Sequence, residues 1–334
     1  MTHREGAVEK LAVLQAMRAV AAIAVLCFHA AGAAHKHGGP MPLIGITRLG
    51  EAGVDMFFVL SGFIIMHATV GRGRSCRDYA LARFRRIFLP YWPVGLVMAF
   101  FILDAMPHVG SLRSWAASVF LLPVAQPALN VAWTLQHEVV FYAFVAAGYY
   151  SGWWRIGLVI WTATIVYFAF SGRSAPIGMQ LIDSEFLVGM MAWAAWRDGR
   201  LPIVTATSVI LTLLAIACLT LGPNIGMDRA VPLGIAAGFA AILPWLVLGE
   251  HKGRIRTPKV INFLGDASYS IYLVHALPLL LLIDIMAESR WHTLFPAIAL
   301  SGLVAGIAYH LLVERPLLAW SQKRQRVVTS SNRA

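Results

Sequence analysis

The run from Leu11 to Ala33 (LAVLQAMRAVAAIAVLCFHAAGA) is long enough to cross a bilayer as one helix. It also carries two groups that rarely face lipid, Arg18 and His29. The eleven-residue spacing is about three helical turns, so both lie on one face, roughly 16 Å apart along the axis. One helix thus places a permanent cation towards one end and a proton carrier towards the other. A polar pair packed between helices would also give this pattern. Other apolar segments carry matching polar groups, which favours a functional face.

Composition extends this reading to the whole chain. Of 334 residues, 59% are hydrophobic and 13% charged, against about 25% charged in a soluble domain. No polar stretch is long enough to hold a separate soluble domain. The first apolar segment exceeds a signal h-region and lacks a small-residue cleavage site, so no cleavable signal peptide is expected. Hydropathy predicts an all-α, polytopic membrane helix bundle of about ten transmembrane helices: 11–33, 54–71, 88–106, 132–151, 153–171, 181–196, 202–221, 231–248, 262–285 and 293–313. Segment 115–124, bounded by Pro123 and Pro127, is too short to cross and reads as interfacial or re-entrant. The whole chain, 1–334, reads as one membrane domain, with a core over 11–316 and a basic cytoplasmic tail over 317–334, whose part after Trp320 is expected to be mobile.

An even number of spans puts both termini on one side, and the positive charges choose which. The loop after the second span carries Arg72, Arg74, Arg77, Arg83, Arg85 and Arg86. With the N-terminus inside, the outer face holds only Lys36, Arg48, Arg113, Arg173, Arg229 and Arg290. Arg18 lies within a span, which leaves 20 of the 27 lysines and arginines inside. The expected topology is therefore N-in, C-in. It accounts for the formal charge of +11 without nucleic acid. Cys27, Cys76 and Cys218 are scattered and suit neither a metal site nor a disulfide framework. Gly302 and Gly306 have the spacing of close helix packing within a bundle.

Four further segments carry candidate chemistry. Asp55, in GVDMFFVLSGFII, sits at the outer end of the second span, either as a helix N-terminal carboxylate or as a site residue. Arg83 and Arg86, in RFRRIFLPYW, share a helix face at the inner surface. They set topology and touch anionic lipid, or they bind a phosphorylated ligand, which guanidinium forks suit. Glu138, in WTLQHEVVFYAF, comes to about the depth of His29. A carboxylate there orients an imidazole and raises its basicity. His137 points to another face. In FLGDASYSIYLVHALP, Ser268, Tyr272 and His275 share one face, as a packing stripe or the lining of a substrate tunnel. No nucleophile elbow accompanies them. Asp183, Glu185 and Asp284 are further acids near outer ends, without an assigned role.

These pieces occur in a known order: Arg18-x10-His29, GVDMFFVLSGF, Arg83-x-x-Arg86 before Pro90 and Tyr91, WTLxxExxFY around Glu138, GDASYSIYLVH, and a terminal ERP at Glu314–Pro316. The chain from Leu11 to Pro316 resembles the acyltransferase-3 family of membrane acyltransferases, in particular short members that decorate bacterial exopolysaccharide or other surface glycans. Thr134 stands where relatives often have Ser. The resemblance implies a multi-pass protein of the bacterial inner membrane. It implies O-acyl transfer, usually of acetyl, from cytoplasmic acyl-CoA to a hydroxyl of a glycan or lipid-linked glycan. The donor is then a co-substrate, with no bound cofactor and no metal, and polysaccharide synthesis or export machinery is an implied partner. His29, Glu138 and Arg18 fall on the family's catalytic positions, and Arg83 and Arg86 on those linked to the acyl donor. The residue chemistry agrees: His29 is the best general base, Glu138 can orient it, and Arg18 can hold the donor or meet developing negative charge. The competing readings are a secondary transporter or flippase of a glycan or small anion, and a non-catalytic partner in an export complex. Neither inverted repeats nor any other repeat supports the transporter.

Overall fold

A computed structural model of the chain describes residues 11–39, 50–73, 75–101, 111–199, 227–285 and 290–331. The expected span 202–221 lies outside them. Among the described residues there is helix and loop and no strand. Helices α1 (Ala12–Lys36), α2 (Ala52–Thr69) and α3 (Cys76–Ala99) come first. A short α4 (Leu112–Phe120) precedes α5 (Trp133–Tyr150), α6 (Trp154–Ser171) and α7 (Ser184–Arg197). After these come α8 (Met227–His251), α9 (Lys259–Val274), α10 (Ala276–Ile285) and α11 (Trp291–Tyr309). A π-turn at His310–Glu314 leads into α12 (Arg315–Ser331).

Five of the described helical stretches are long and apolar enough to cross a membrane: α1, α2, α6, Leu233–His251 and Trp291–Lys323. The pair α9 and α10, bent by 45° at its break, makes six if taken as one span. The expected span 181–196 appears as the 14-residue α7, about 21 Å long at 1.5 Å per residue and shorter than a hydrocarbon core. Expected segment 115–124 is also no span, because α4 has nine residues and ends at Leu121 in the left-handed region (φ 54°).

Proline and capping chemistry explains where the helices depart from the hydropathy reading. The third helix begins at Cys76, not near residue 88. The Ser75 hydroxyl accepts from the Asp78 N–H (3.1 Å) and donates to the Asp78 carboxylate (2.8 Å), which starts the helix inside the basic segment. The span expected as one piece over 262–285 is broken at His275. Pro278 has no N–H for the Val274 carbonyl four residues earlier. Pro316 does the same to Leu312, and the turn widens there so that the Arg315 N–H reaches the His310 carbonyl. The basic tail is entered by α12, which runs to Ser331.

The chain divides into two compact units interleaved along the sequence. The first comprises Met1–Ala21, Ala52–Gly73 and Ser184–Asp266. Here α2 and α7 touch backbone to backbone: a methyl on Gly62 would strike the Phe186 carbonyl, and one on Gly189 the Val59 carbonyl. Phe58 stacks on Phe186 at 4.5 Å between centroids, and α8 packs against both helices. Glu250, near the end of α8, accepts from the Ala12 and Val13 N–H groups (2.7 and 3.0 Å) and so satisfies the start of α1.

The second unit comprises Ala22–Glu51, Arg74–Asp183 and Ala267–Ala334. Aromatic side chains brace its helices against backbone carbonyls. Tyr91 donates to Ser118 (2.6 Å), Trp92 to Val119 (2.9 Å), Tyr269 to Ile87 (2.8 Å), Tyr309 to Pro90 (2.7 Å) and Tyr79 to Tyr142 (3.3 Å). Gln136 holds the loop after α4 through the Leu122 and Ala125 carbonyls. Gly306 lies against the Ile271 backbone and Gly302 against Leu26 and His275, the close packing their spacing predicts. On α6, Trp161 and Ile165 are buried, whereas Ile156, Val159, Ile160, Val166, Tyr167 and Phe170 are exposed. An apolar sleeve of that size suits lipid, not water.

Candidate active site

All the polar contacts described next lie within the second unit. His29, late in α1, is half-buried. Its Nδ1 lies 3.0 Å from the Val25 carbonyl oxygen and 3.2 Å from His275 Nε2. The two imidazole centroids are 5.0 Å apart. His275 is buried at the break between α9 and α10, with its own Nδ1 3.2 Å from the Ile271 carbonyl oxygen. Phe28 meets the His29 ring edge-on at 5.3 Å.

One turn back along α9, the Tyr272 ring lies 5.9 Å from that of His275. The Tyr272 hydroxyl donates to the Val131 carbonyl (2.9 Å) and meets the Thr134 hydroxyl (2.8 Å). Thr134 is thus the partner that positions Tyr272. Ser268, one turn further back on α9, is fully buried.

Glu138 lies one turn beyond Thr134 on α5, where Tyr142 donates a hydrogen bond to its carboxylate. The pairing expected from matched depth is corrected here: His29 meets His275, and Glu138 meets Tyr142. Three residues separate His275 from Tyr272 and four separate Thr134 from Glu138. At 1.5 Å per residue, Glu138 therefore sits about 10 Å further along the helices than the histidine pair. Depth counted from sequence missed this, because a 3-10 turn at Asn130–Ala132 precedes α5 and places Trp133 below the outermost helical residue.

Arg83 and Arg86 lie one turn apart on α3, as their spacing predicts. The Arg83 guanidinium is 5.6 Å from the centre of the Tyr142 ring and 5.9 Å from that of Tyr79. Its Nε–H is buried and finds no acceptor among the described residues. Arg86 lies 6.0 Å from the Tyr269 ring centre, within the field of Glu314. A polar corridor therefore runs from the histidine pair through Tyr272 and Glu138 to the two arginines.

Two other expected residues belong to the first unit. Arg18 is half-buried on α1, and Asp55 is buried in the first turn of α2, where a carboxylate suits the helix N-terminus. Two buried pairs were not anticipated. Glu314 Oε2 accepts from the Ser270 hydroxyl (2.6 Å) and from His310 Nδ1–H (2.7 Å). His137 Nδ1–H donates to Asp183 (2.8 Å), which also accepts from the Gln180 N–H (2.9 Å). The i, i+4 spacing of His310 and Glu314 was a readable signal; the long-range partners were not. Among the described residues, no three His, Cys, Asp or Glu side chains converge as metal ligands would.

The second unit thus brings an imidazole pair, buried tyrosines and two half-buried guanidinium groups together inside an all-helical, lipid-compatible bundle. Comparison with known proteins names the class. The profile described as an acyltransferase domain (Acyl_transf_3) matches residues 11–313, and the chain belongs to this acyltransferase-3 family. It is similar to the exopolysaccharide production protein ExoZ of Rhizobium meliloti (strain 1021), with 30% identity over 92% of this chain and 99% of that protein. It is also similar to the acyltransferase MdmB of Streptomyces mycarofaciens, with 25% identity over 98% of this chain and 96% of that protein. No solved structure matches it.

Proposed function

We propose that this acyltransferase moves an acyl group, preferentially acetyl, from cytoplasmic acyl-CoA to a hydroxyl of an exopolysaccharide or other surface glycan. The observation that carries the reading is His29, an accessible imidazole held at one nitrogen inside a chain whose length matches the acyltransferase domain. Similarity to a protein named for exopolysaccharide production favours a glycan acceptor. The protein acts in the bacterial inner membrane through about ten spans with both termini inside, the orientation favoured by the excess of basic residues on inner loops.

In this reading His29 takes the proton from the acceptor hydroxyl as its oxygen attacks the thioester carbonyl. The C–S bond breaks, and the leaving thiolate takes the proton back from the imidazolium, giving an ester and free CoA thiol. Arg18 supplies positive charge on the inner part of α1, for the donor or for developing negative charge. Arg83, with its unsatisfied Nε–H, binds acceptor groups of the donor, and Arg86 acts beside it. Glu138 serves the donor side of the corridor through Tyr142.

The test compares strains carrying wild type and His29→Ala by mass spectrometry of their surface polysaccharide. Parallel assays follow acyl transfer by protein purified in lipid discs. The expected outcome is loss of the ester and of transfer with normal expression. More than a tenth of wild-type transfer by well-folded His29→Ala would remove the base from this mechanism.

A further inference from the structure

We infer that His275 is a positioning residue that, together with the Val25 carbonyl, holds His29 in one tautomer, so that His29 Nε2 is the atom that receives the hydroxyl proton. The inference rests on the acyltransferase reading above and concerns how its base is prepared.

The argument follows from counting donors and acceptors. A carbonyl oxygen can only accept a hydrogen bond. The Ile271 carbonyl lies 3.2 Å from His275 Nδ1, so that nitrogen carries the ring proton and a neutral His275 presents Nε2 as an acceptor. The His29 Nδ1 faces two acceptors, the Val25 carbonyl at 3.0 Å and this bare His275 nitrogen at 3.2 Å. Only a proton on His29 Nδ1 satisfies both. The lone pair of a neutral His29 is therefore on Nε2.

His275 is 1% exposed and lies at the helix break, so it acts through His29 and not on a substrate. It does so without a second formal charge, which would be costly inside the membrane. When Nε2 takes the proton, Nδ1–H keeps both acceptors, and no side chain has to move. Packing maintains this geometry: a methyl on Gly302 would come within 2.6 Å of Leu26 Cδ1 and 3.3 Å of His275 Cβ. Among the described residues, no other hydrogen bond reaches the His29 ring to set the tautomer differently.

The experiment measures imidazole nitrogen shifts by NMR on full-length protein carrying 15N-histidine in lipid discs, with His29→Ala identifying the signals. The wild-type His29 should show a protonated Nδ1 and a bare Nε2; a protonated Nε2 overturns the proposal without any further variant. His275→Leu removes one of the two acceptors and leaves the Val25 carbonyl, so the share of His29 protonated at Nε2 should rise measurably above that of wild type. It should also lower kcat about tenfold, the factor set by one neutral hydrogen bond, with the KM for acetyl-CoA held within about twofold. In His275→Gln the carboxamide oxygen reaches the former Nε2 position and should restore the tautomer and most of the turnover. Wild-type kcat in His275→Leu, an unchanged tautomer in that variant, or no rescue by glutamine would overturn the assignment. A fully active His29→Ala would instead overturn the base reading itself. An inactive His29→Ala beside an active His275→Leu would leave the base standing and remove the positioning residue.

Discussion

Removal of the Glu314 carboxylate tests whether the π-turn is held by its buried polar cluster. Glu314 is 1% exposed, and one oxygen accepts from Ser270 at 2.6 Å and from His310 at 2.7 Å. Ser270 and His310 are themselves buried. Glu314→Ala strands both donors, at about 1–3 kcal/mol each. It also removes a negative charge from the field of Arg86. The Ser270 hydroxyl recovers part of its loss by turning to a carbonyl of its own helix, so the expected destabilisation is about 3–5 kcal/mol. Glu314→Gln keeps an amide oxygen for both donors and loses only charge assistance, so it should cost about 1–2 kcal/mol. Reversible unfolding in mixed micelles, followed by tryptophan fluorescence, gives both values. In a double-mutant cycle, Ser270→Ala should cost less in the Glu314→Ala background than alone. A loss below about 1 kcal/mol for Glu314→Ala, or equal losses for alanine and glutamine, would refute the claim that these bonds hold the turn.

Four further outcomes can be checked. Gly62→Ala and Gly189→Ala should each destabilise the protein by about 1–3 kcal/mol, because the added methyl meets backbone. Gly32→Ala meets nothing within 4 Å and should gain up to about 1 kcal/mol from helix propensity, as the same unfolding assay would show. Glu250→Ala should cost about 1–2 kcal/mol and increase hydrogen exchange at Ala12 and Val13, whereas unchanged protection there would remove the cap. Arg83→Ala with Arg86→Ala should weaken acetyl-CoA binding, measured by titration calorimetry, and flatten its salt dependence; unchanged donor affinity would reassign the pair to topology or lipid contact.

Local periodicity was legible in the sequence. Arg18 and His29 lie on one unbroken helix, and Arg83 and Arg86 lie one turn apart, because each relation depends only on helical geometry. Relations between helices were not legible. His29 was matched to Glu138 by counting depth from the ends of two spans, which assumes that each helix starts where hydropathy rises. The 3-10 turn before α5 and the early start of α3 inside the basic segment both violate that assumption. His275 was identified as a polar residue of a straight span, and its place at a break depends on Pro278, whose effect falls on the carbonyl of Val274. Glu314 carried a recognisable motif, but its bond to Ser270 crosses 44 positions of sequence.

The tyrosine and tryptophan braces of the second unit have an evolutionary consequence. Their donors are side chains, but their acceptors at Ser118, Val119, Ile87, Val131 and Pro90 are main-chain oxygens. Every amino acid supplies that oxygen, so mutation at the receiving end leaves the tie intact as long as the backbone keeps its course. The tie itself therefore constrains only one residue of each linked pair by chemistry; the other is held by packing where it is buried, as Ile87, Ser118 and Val131 are. Helices fastened in this one-sided way can hold a fixed arrangement of reactive groups through substitutions at the receiving positions.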